Sequence, residues 1–327
     1  MRLRRNRRAA FIRDLLQENH VRASDLIYPV FVIEGQNREE DIKSLPGQKR
    51  FSVDRLLHTA EICQKLGIPG IALFPMIETK KDHDSFHESY NPDGLLPRAI
   101  TELKNNFPEL GVFTDIALDA YTHDGHDGVS SVNNCGEIIV DNDITNEILV
   151  KQALCHAHAG SDFVCPSDMM DGRILAIRTA LERSKFYDTG IMAYSAKYAS
   201  SFYGPFRDAT GAASSLGAHG KKTYQMNPAN SDEAIDEARS DLEEGADIIM
   251  VKPGLPYLDV LYRIKNEFKK PTAAYHVSGE YAMLKLAAMN GCIDYDRAIM
   301  EAMLCFKRAG SDIIWTYAAL EVARLLK

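Results

Sequence analysis

The sequence lacks several features that would each point to a particular class of protein. Its 327 residues include no apolar run of 18 or more, so we expect no membrane-spanning helix. The six cysteines are scattered and none forms a C-x-x-C pair, which favours a reducing, cytoplasmic setting over a disulfide framework. The net charge of −8 argues against a general nucleic-acid binder, because such proteins carry an excess of positive charge.

Apolar, β-branched segments recur along the chain and alternate with segments of helical periodicity. Strands that are apolar nearly throughout are typical of a parallel sheet covered on both faces, and eight strand–helix repeats favour an α/β fold closed into a (β/α)8, or TIM, barrel. No G-x-G-x-x-G or G-K-[ST] motif follows the first strand, which disfavours the alternative of an open doubly wound sheet. The predicted strands are residues 26–33, 70–75, 111–118, 162–167, 190–196, 247–253, 272–278 and 312–317. The clearest helical segments are 53–66, 144–159, 171–183, 231–244, 256–268 and 296–308.

The first residues of the chain stand apart from this repeat. We predict that residues 1–24 form an extended N-terminal arm in front of one barrel domain at 25–327. The many arginines of the arm resemble those of a transit peptide, but Asp14, Glu18 and the helix-like run 10–17 favour an ordered arm.

Two segments that follow predicted strands are longer than ordinary strand–helix loops. They are residues 119–142 and 198–229. In a TIM barrel the loops at the carboxyl ends of the strands carry the function. The second segment is rich in Gly, Ala and Ser around an arginine and two lysines, and we interpret it as a mobile lid.

Two lysines close neighbouring predicted strands. Lys197 ends the fifth strand and Lys252 ends the sixth, and neighbouring strands lie about 4.8 Å apart, so both amines can face one pocket. A lysine amine condenses with a ketone to give a Schiff base, but only in its neutral form. Apolar surroundings and a second cation nearby both lower a lysine pKa. We therefore predict a reactive pair, against the alternative that each side chain extends to solvent.

Several motifs around these lysines resemble those of the porphobilinogen synthase family, also called 5-aminolaevulinate dehydratase. They are MAYSAKYASSFYGPFRDA, PSDMMDGRI, KTYQMNPANSDEA, DIIMVKPGLPYLD and VSGEYAM, and the similarity runs from the arm to TYAA near the C-terminus. The resemblance implies a lyase that condenses two molecules of 5-aminolaevulinate into porphobilinogen, with loss of two waters, in tetrapyrrole (haem) biosynthesis. It implies that Lys252 binds the first substrate and Lys197 the second. It also implies a homo-octamer in which the arm wraps a neighbouring subunit.

The same resemblance implies a set of substrate-binding side chains. Those in the lid match residues at one substrate carboxylate, and two hydroxyls at later strand ends match residues at the other carboxylate. Ser167, together with Asp168, resembles polar lining of the pocket, and Asp115 is a candidate for positioning the substrate amino group. The implied residues are Arg207, Lys221, Gln225, Ser278, Tyr317, Ser167 and Asp115.

The metal requirement is the feature that varies within this family. Zinc-dependent members carry three cysteines in the third strand–helix loop, where this chain has Ala117, Asp119 and Asp127. Thiolates favour zinc and carboxylates favour magnesium, so we predict that the catalytic zinc site is missing. Asp119 and Asp127, together with Asp115 and His126, are predicted to hold a hard cation, to bind ordered waters or to position the substrate amino group. Glu237 matches the ligand of an allosteric Mg²⁺ at a subunit contact, although an acidic, solvated helix face also explains it.

Two alternatives from other classes stay open at this point. One is a class I (Schiff-base) aldolase-type lyase on the same barrel, although most such enzymes need one reactive lysine and not two. The other is a non-enzymatic nucleic-acid binder that uses the basic arm. Few aromatic residues accompany the arginines and the rest of the chain is acidic, so we predict neither a nucleic-acid nor a membrane partner.

Overall fold

The chain folds around a ring of eight parallel strands. The computed structural model describes residues 1–77, 86–133, 138–211 and 220–327. Each strand of the ring pairs with the next, and the last pairs with the first through Leu26 opposite Ile314. The predicted TIM barrel is therefore confirmed. The strands are β1 (Leu26–Val32), β2 (Glu39–Asp41), β3 (Lys49–Phe51), β4 (Gly70–Pro75), β5 (Gly111–Ile116), β6 (Val129–Val132), β7 (Ile138–Asp141), β8 (Phe163–Pro166), β9 (Gly190–Lys197), β10 (Ile248–Lys252), β11 (Thr272–His276) and β12 (Ile313–Thr316). The ring consists of β1, β4, β5, β8, β9, β10, β11 and β12.

The barrel strands begin and end within two residues of their predicted bounds. Their apolar character reflects burial on both faces, and β1, β10 and β11 are buried along their whole length. Inside the ring, Trp315 packs against Tyr275 and Tyr194, with ring centroids 5.4 and 5.9 Å apart. Tyr275 and Tyr194 also contact the Lys252 amine at the carboxyl end of the ring.

Helices surround the ring and connect its strands. The six predicted helical segments are all present, and the helices at 86–89, 95–106, 204–210, 278–289 and 319–325 were not among them. The helix at 278–289 begins at Ser278, which is predicted above to end a strand; here the Glu280 side chain accepts the Val277 N–H at the start of the helix. The α-helices are α1 (Ala10–Leu15), α2 (Val53–Leu66), α3 (Phe86–Ser89), α4 (Leu95–Asn106), α5 (Asn142–Ala159), α6 (Arg173–Arg183), α7 (Gly204–Thr210), α8 (Glu233–Glu243), α9 (Leu258–Phe268), α10 (Ser278–Met289), α11 (Tyr295–Ala309) and α12 (Ala319–Leu325).

Several short strands and helices lie at the carboxyl end of the ring. Strand β3 extends the sheet beside the end of β1 and pairs with β2. The first long segment contains the antiparallel hairpin β6–β7, and the lid segment contains α7. Residues 134–137 and 212–219, which belong to these two segments, lie outside the described residues.

The N-terminal arm contains a 3-10 turn (Leu3–Arg7) and α1, as expected for an ordered arm. Neither element buries a residue, and Phe11 and Leu15 are 61% and 78% exposed. The barrel of the same chain therefore leaves Phe11 and Leu15 of α1 uncovered, whereas Val21, nearer the barrel, is buried. Among the described helices, none is long and apolar enough to cross a membrane.

Candidate active site

The two predicted lysines lie side by side at the carboxyl end of the ring. Lys197 is the last residue of β9 and Lys252 the last of β10, and the two are paired in the strand register. Both are 5% exposed, so neither extends to solvent. Their side chains line one small cavity, with a volume of about 20 Å³. The lining residues are Asp119, Lys197, Tyr203, Phe206, Arg207, Lys221, Gln225 and Lys252.

Lys252 lies in an aromatic cage. Its Nζ is 4.6 Å from the ring centre of Tyr275, 4.8 Å from Tyr194, 5.2 Å from Phe206 and 5.5 Å from Tyr203. Burial lowers the pKa of the Lys252 amine to about 7, and the charge of Lys197 acts in the same direction. A large fraction of this amine is thus neutral at neutral pH, which is the form that attacks a ketone.

Lys197 has a polar environment instead. Its Nζ donates to the Ser167 carbonyl oxygen and lies 3.4 Å from a carboxylate oxygen of Asp127. Ser167 therefore contacts the site in this structure through its backbone. The two lysines differ because one faces aromatic rings and the other faces oxygen acceptors.

Asp127 connects Lys197 to the lid. One carboxylate oxygen accepts from Lys221 at 2.9 Å, and the other accepts from Gln225 at 3.2 Å. Burial raises the pKa of Asp127, but Lys197 and Lys221 outweigh burial and lower it to about 2. Asp119 lies 3.5 Å from Lys221 and so joins the same network.

This network bears on the predicted active-site cation. Asp119 and Asp127 were predicted to hold a hard cation or waters, or to position an amino group, and in this structure lysine ammonium groups neutralise them. Over the described ranges, no group of three or more His, Cys, Asp or Glu residues has an arrangement that could hold a metal ion. The arrangement does not fit a metal centre here, because the carboxylate oxygens already serve lysines and a glutamine.

Asp115 lies near both lysines on the inner side of the site. Burial raises the pKa of Asp115 to about 7, and the charge of Asp119 adds to this, while Lys252 and Lys197 oppose it. Its Oδ1 is buried without a hydrogen-bond partner among the described residues. A carboxyl with this pKa can take up or release a proton near neutral pH.

The two predicted hydroxyls lie next to the cavity but do not line it. The Ser278 Oγ accepts the Phe206 N–H at 3.0 Å and so contacts the backbone of α7. The Tyr317 hydroxyl hydrogen-bonds to the Tyr275 hydroxyl at 2.9 Å. Through Tyr275, Tyr317 is connected to the cage around Lys252.

The lid helix α7 carries Phe206 and Arg207 into the site. Its last turn is held by a residue that sequence reasoning missed: Arg50 donates to the carbonyl oxygens of Ala209 and Asp208, each at 2.7 Å. No local pattern marks Arg50, because it lies 159 residues before Ala209. The aromatic cage was also missed, although Tyr203 and Phe206 occur in the motif quoted above.

Glu237 lies on α8, away from the residues that line the cavity. Burial raises the pKa of Glu237 to about 7; Arg173 opposes this, while the nearby carboxylates of Asp241 and Asp171 add to it. Glu237 is thus half-buried beside other acids, and it does not lie on a fully solvated face of α8.

Sequence comparison with known proteins identifies relatives along nearly the whole chain. A family model described as "Delta-aminolevulinic acid dehydratase" matches residues 1–325. A protein with this name from Bradyrhizobium diazoefficiens is 50% identical over 327 residues, covering 100% of this chain and 91% of its own length. One from Rhodobacter capsulatus is 46% identical and covers 99% of this chain and 96% of its own length. The chain belongs to the delta-aminolevulinic acid dehydratase family.

A solved member of the delta-aminolevulinic acid dehydratase family has the same fold. It is the Toxoplasma gondii enzyme in complex with the reaction product porphobilinogen, with a TM-score of 0.94 and 51% identity, covering 99% of this chain and 91% of that one. The resemblance drawn from the sequence motifs is thereby confirmed. Membership of the delta-aminolevulinic acid dehydratase family makes the chain a hydro-lyase and sets aside the aldolase and nucleic-acid-binder alternatives.

Proposed function

We propose that this chain condenses two molecules of 5-aminolaevulinate (delta-aminolevulinic acid) into porphobilinogen with loss of two waters, as a step of tetrapyrrole biosynthesis. The observation that carries the proposal is the pair of buried lysines on neighbouring strand ends, one caged by aromatic rings and one paired with a carboxylate. Two amines in unlike environments suit a reaction that holds two copies of one ketone in different roles.

Lys252 binds the first substrate. Its neutral amine attacks the ketone carbon, and loss of the oxygen as water gives the imine. Lys197 holds the second substrate in the same way, after the substrate displaces its contacts with Asp127. Asp115, whose pKa is raised to about 7 by burial, moves protons between the two amines and the departing water.

The polar residues of the lid bind the carboxylate of the second substrate. Arg207, Lys221 and Gln225 all line the cavity, and two of them presently contact Asp127. A substrate carboxylate offers Lys221 and Gln225 a replacement for that partner, so binding and lid closure favour each other. Ser278 and Tyr317 bind the carboxylate of the first substrate.

The lid has to open before either substrate binds. A cavity of about 20 Å³ holds roughly one water molecule, far less than a five-carbon keto acid needs. Displacement of α7 enlarges it, because α7 supplies Phe206 and Arg207 to its wall. The lid residues then return over the bound substrates and exclude water.

The metal requirement proposed here is that of a member without the active-site zinc cysteines. Ala117, Asp119 and Asp127 stand where zinc-dependent relatives carry thiolates, and the latter two are paired with lysines. Glu237 is proposed to bind an allosteric Mg²⁺, since a half-buried carboxylate beside other acids suits a hard cation that keeps several waters. A pyrrole-forming assay with chelator, followed by Mg²⁺ or Zn²⁺, tests this metal requirement: chelator should leave basal activity, and Mg²⁺ but not Zn²⁺ should stimulate it.

The arm is proposed to join copies of the chain into a homo-octamer. Support comes from its exposed apolar residues, including Phe11 and Leu15, which the arm's own barrel leaves uncovered. The acidic surface around Glu237 suits the arginines of a neighbouring arm. Deletion of residues 1–24 should reduce the assembly to smaller forms in light scattering. A cytoplasmic location stays a prediction.

Borohydride trapping tests the proposed function directly. Incubation with 5-aminolaevulinate and reduction should attach a stable adduct to Lys252, located by mass spectrometry. Lys252→Ala should abolish this adduct and pyrrole formation, while Lys270→Ala, which removes an exposed lysine, should retain both. An enzyme that forms porphobilinogen at a normal rate after Lys252→Ala would contradict the proposal.

A further inference from the structure

Glu280 is a buried carboxyl group that the proposed reaction does not use. It is 0% exposed, and burial raises its pKa to about 7 against the effect of three hydrogen bonds. In the part of the chain that the structure describes, these bonds come from backbone N–H groups. Burial of a carboxylate away from a cation lowers stability. In return, this carboxylate accepts three backbone N–H groups, which an apolar side chain could not do.

The three N–H groups belong to two separate segments. The Glu280 Oε1 accepts from Leu255 at 2.6 Å. Its Oε2 accepts from Gly254 at 3.2 Å and from Val277 at 2.8 Å. Glu280 therefore ties the loop that leaves β10 to the residue that precedes α10.

These two segments carry the groups proposed to hold opposite ends of the first substrate. Gly254 follows Lys252 by two residues, and Val277 immediately precedes Ser278. In 5-aminolaevulinate two methylenes separate the ketone carbon from the carboxylate. The distance between the amine and the hydroxyl must match that separation, and an error of about 1 Å is enough to lower a rate strongly.

The backbone around this tie has little freedom to adjust by itself. A Cβ added at Gly279 would lie 2.5 Å from the Phe202 carbonyl oxygen, so the start of α10 lies directly against the lid segment. The carbonyl oxygen of Lys252 accepts from the Tyr198 N–H at 2.9 Å and from the Tyr203 hydroxyl at 3.1 Å. Both segments thus contact residues 198–203 of the lid segment, and Glu280 adds a direct link between them.

We propose that Glu280 is a positioning residue that sets the spacing between Lys252 and Ser278 and thereby selects ketones that carry a carboxylate two methylenes away. The proposal rests on the proposed function, because it takes the roles of Lys252 and Ser278 from it. It assigns Glu280 no contact with the substrate.

The test compares two ketones that differ at one end only: levulinate (4-oxopentanoate) and pentan-2-one, which has a methyl group in place of the carboxylate. Each forms an imine with Lys252 and releases one water, and borohydride then delivers hydride to the imine carbon. The ratio of the two trapping rates measures selectivity for the carboxylate. Because both ketones react with the same folded molecules, the ratio does not depend on how much of a variant is folded.

Two substitutions weaken the tie in different ways. In Glu280→Gln, the amide nitrogen must face at least one backbone N–H, so one or two of the three bonds are lost. Glu280→Asp is one methylene shorter and cannot reach both segments. We expect the ratio of levulinate to pentan-2-one trapping to fall at least about tenfold in each variant. The control is Glu321→Gln on α12, which removes a carboxylate paired with Lys285 of α10, the helix that also carries Glu280, and should leave the ratio unchanged.

The outcomes separate this inference from the function on which it rests. A ratio that stays at the wild-type value in both Glu280 variants, including an equal loss with both ketones, overturns the positioning role in favour of a general structural one. A wild-type protein that gives no Lys252 adduct with levulinate or 5-aminolaevulinate would contradict the proposed function itself.

Discussion

The pH at which Lys252 forms an imine gives the strictest test of the site. Burial lowers the pKa of its amine from 10.5 to about 7, with Lys197 acting in the same direction and Asp115 acting against it. This shift favours the neutral amine by about 5 kcal/mol at about 1.36 kcal/mol per unit. After a brief incubation with levulinate and a borohydride quench, adduct yield should rise with pH and reach half its maximum near pH 7.

Phe206→Ala changes this midpoint in a direction that depends on its cause. The Phe206 ring centre lies 5.2 Å from Nζ; as a cation–π partner it favours the ammonium by about 0.5–2 kcal/mol, but as a wall it excludes water and favours the neutral amine. Burial is the largest cause of the lowering of the Lys252 pKa, so we expect exclusion of water to be the larger effect of this ring. Phe206→Ala should therefore raise the pKa, and a rise of one unit reduces the neutral fraction at pH 7 about fivefold.

The control for this experiment is Phe202→Ala, which removes a ring of the same size from the lid segment outside the four-ring cage. Its midpoint should stay near that of the wild type. A wild-type midpoint near pH 10, or a midpoint in Phe206→Ala that is unchanged or lower, would refute the reasoning that the aromatic cage keeps the amine neutral by excluding water.

Three further predictions follow from other contacts of the site. Burial raises the pKa of Asp127, but two lysines lower it from 3.8 to about 2; the ionised carboxylate thus contributes about 2 kcal/mol of stability above about pH 4, which is lost as the pH falls towards 2. Asp127→Asn should lower the melting temperature at pH 7, and the gap to the wild type should narrow below pH 4; a constant gap would argue against the ion pairs. Arg50→Ala removes both hydrogen bonds to the end of α7 and should raise KM several-fold, whereas Lys49→Ala, at its half-buried neighbour on β3, should not. A KM of Arg50→Ala equal to that of the wild type would show that α7 does not need these hydrogen bonds. Glu237→Gln should abolish stimulation by Mg²⁺ while basal pyrrole formation remains, and stimulation that survives the substitution would place the ion elsewhere.

Much of the fold could be predicted from local patterns. A strand buried on both faces consists of apolar residues nearly throughout, so β1 and β10 are visible as short apolar runs. Strand ends are less visible, because Ser278 continues an apolar run and yet begins α10. The helix begins there because the Glu280 side chain accepts the Val277 N–H. This capping interaction is not visible in the composition of residues 272–278, which is typical of a strand.

The candidate site was predicted in part. The positions of Lys197 and Lys252 at neighbouring strand ends follow from the alternation of strands and helices, which needs only the sequence. Their contacts do not follow from it, since the partners come from distant segments: Asp127 lies 70 residues before Lys197. The sequence also did not show that Lys221 lies against both Asp119 and Asp127, and a cation at these carboxylates stays a prediction.

The barrel, the reactive residue type and its place at one end of the ring follow from the sequence alone, because burial on two faces and strand–helix alternation are local and periodic. The contrast between one amine that faces four aromatic rings and another that faces a carboxylate is visible only in the folded chain. A lysine pKa depends on which groups surround the amine within a few ångströms, and those groups are brought together by packing between segments that are far apart along the chain.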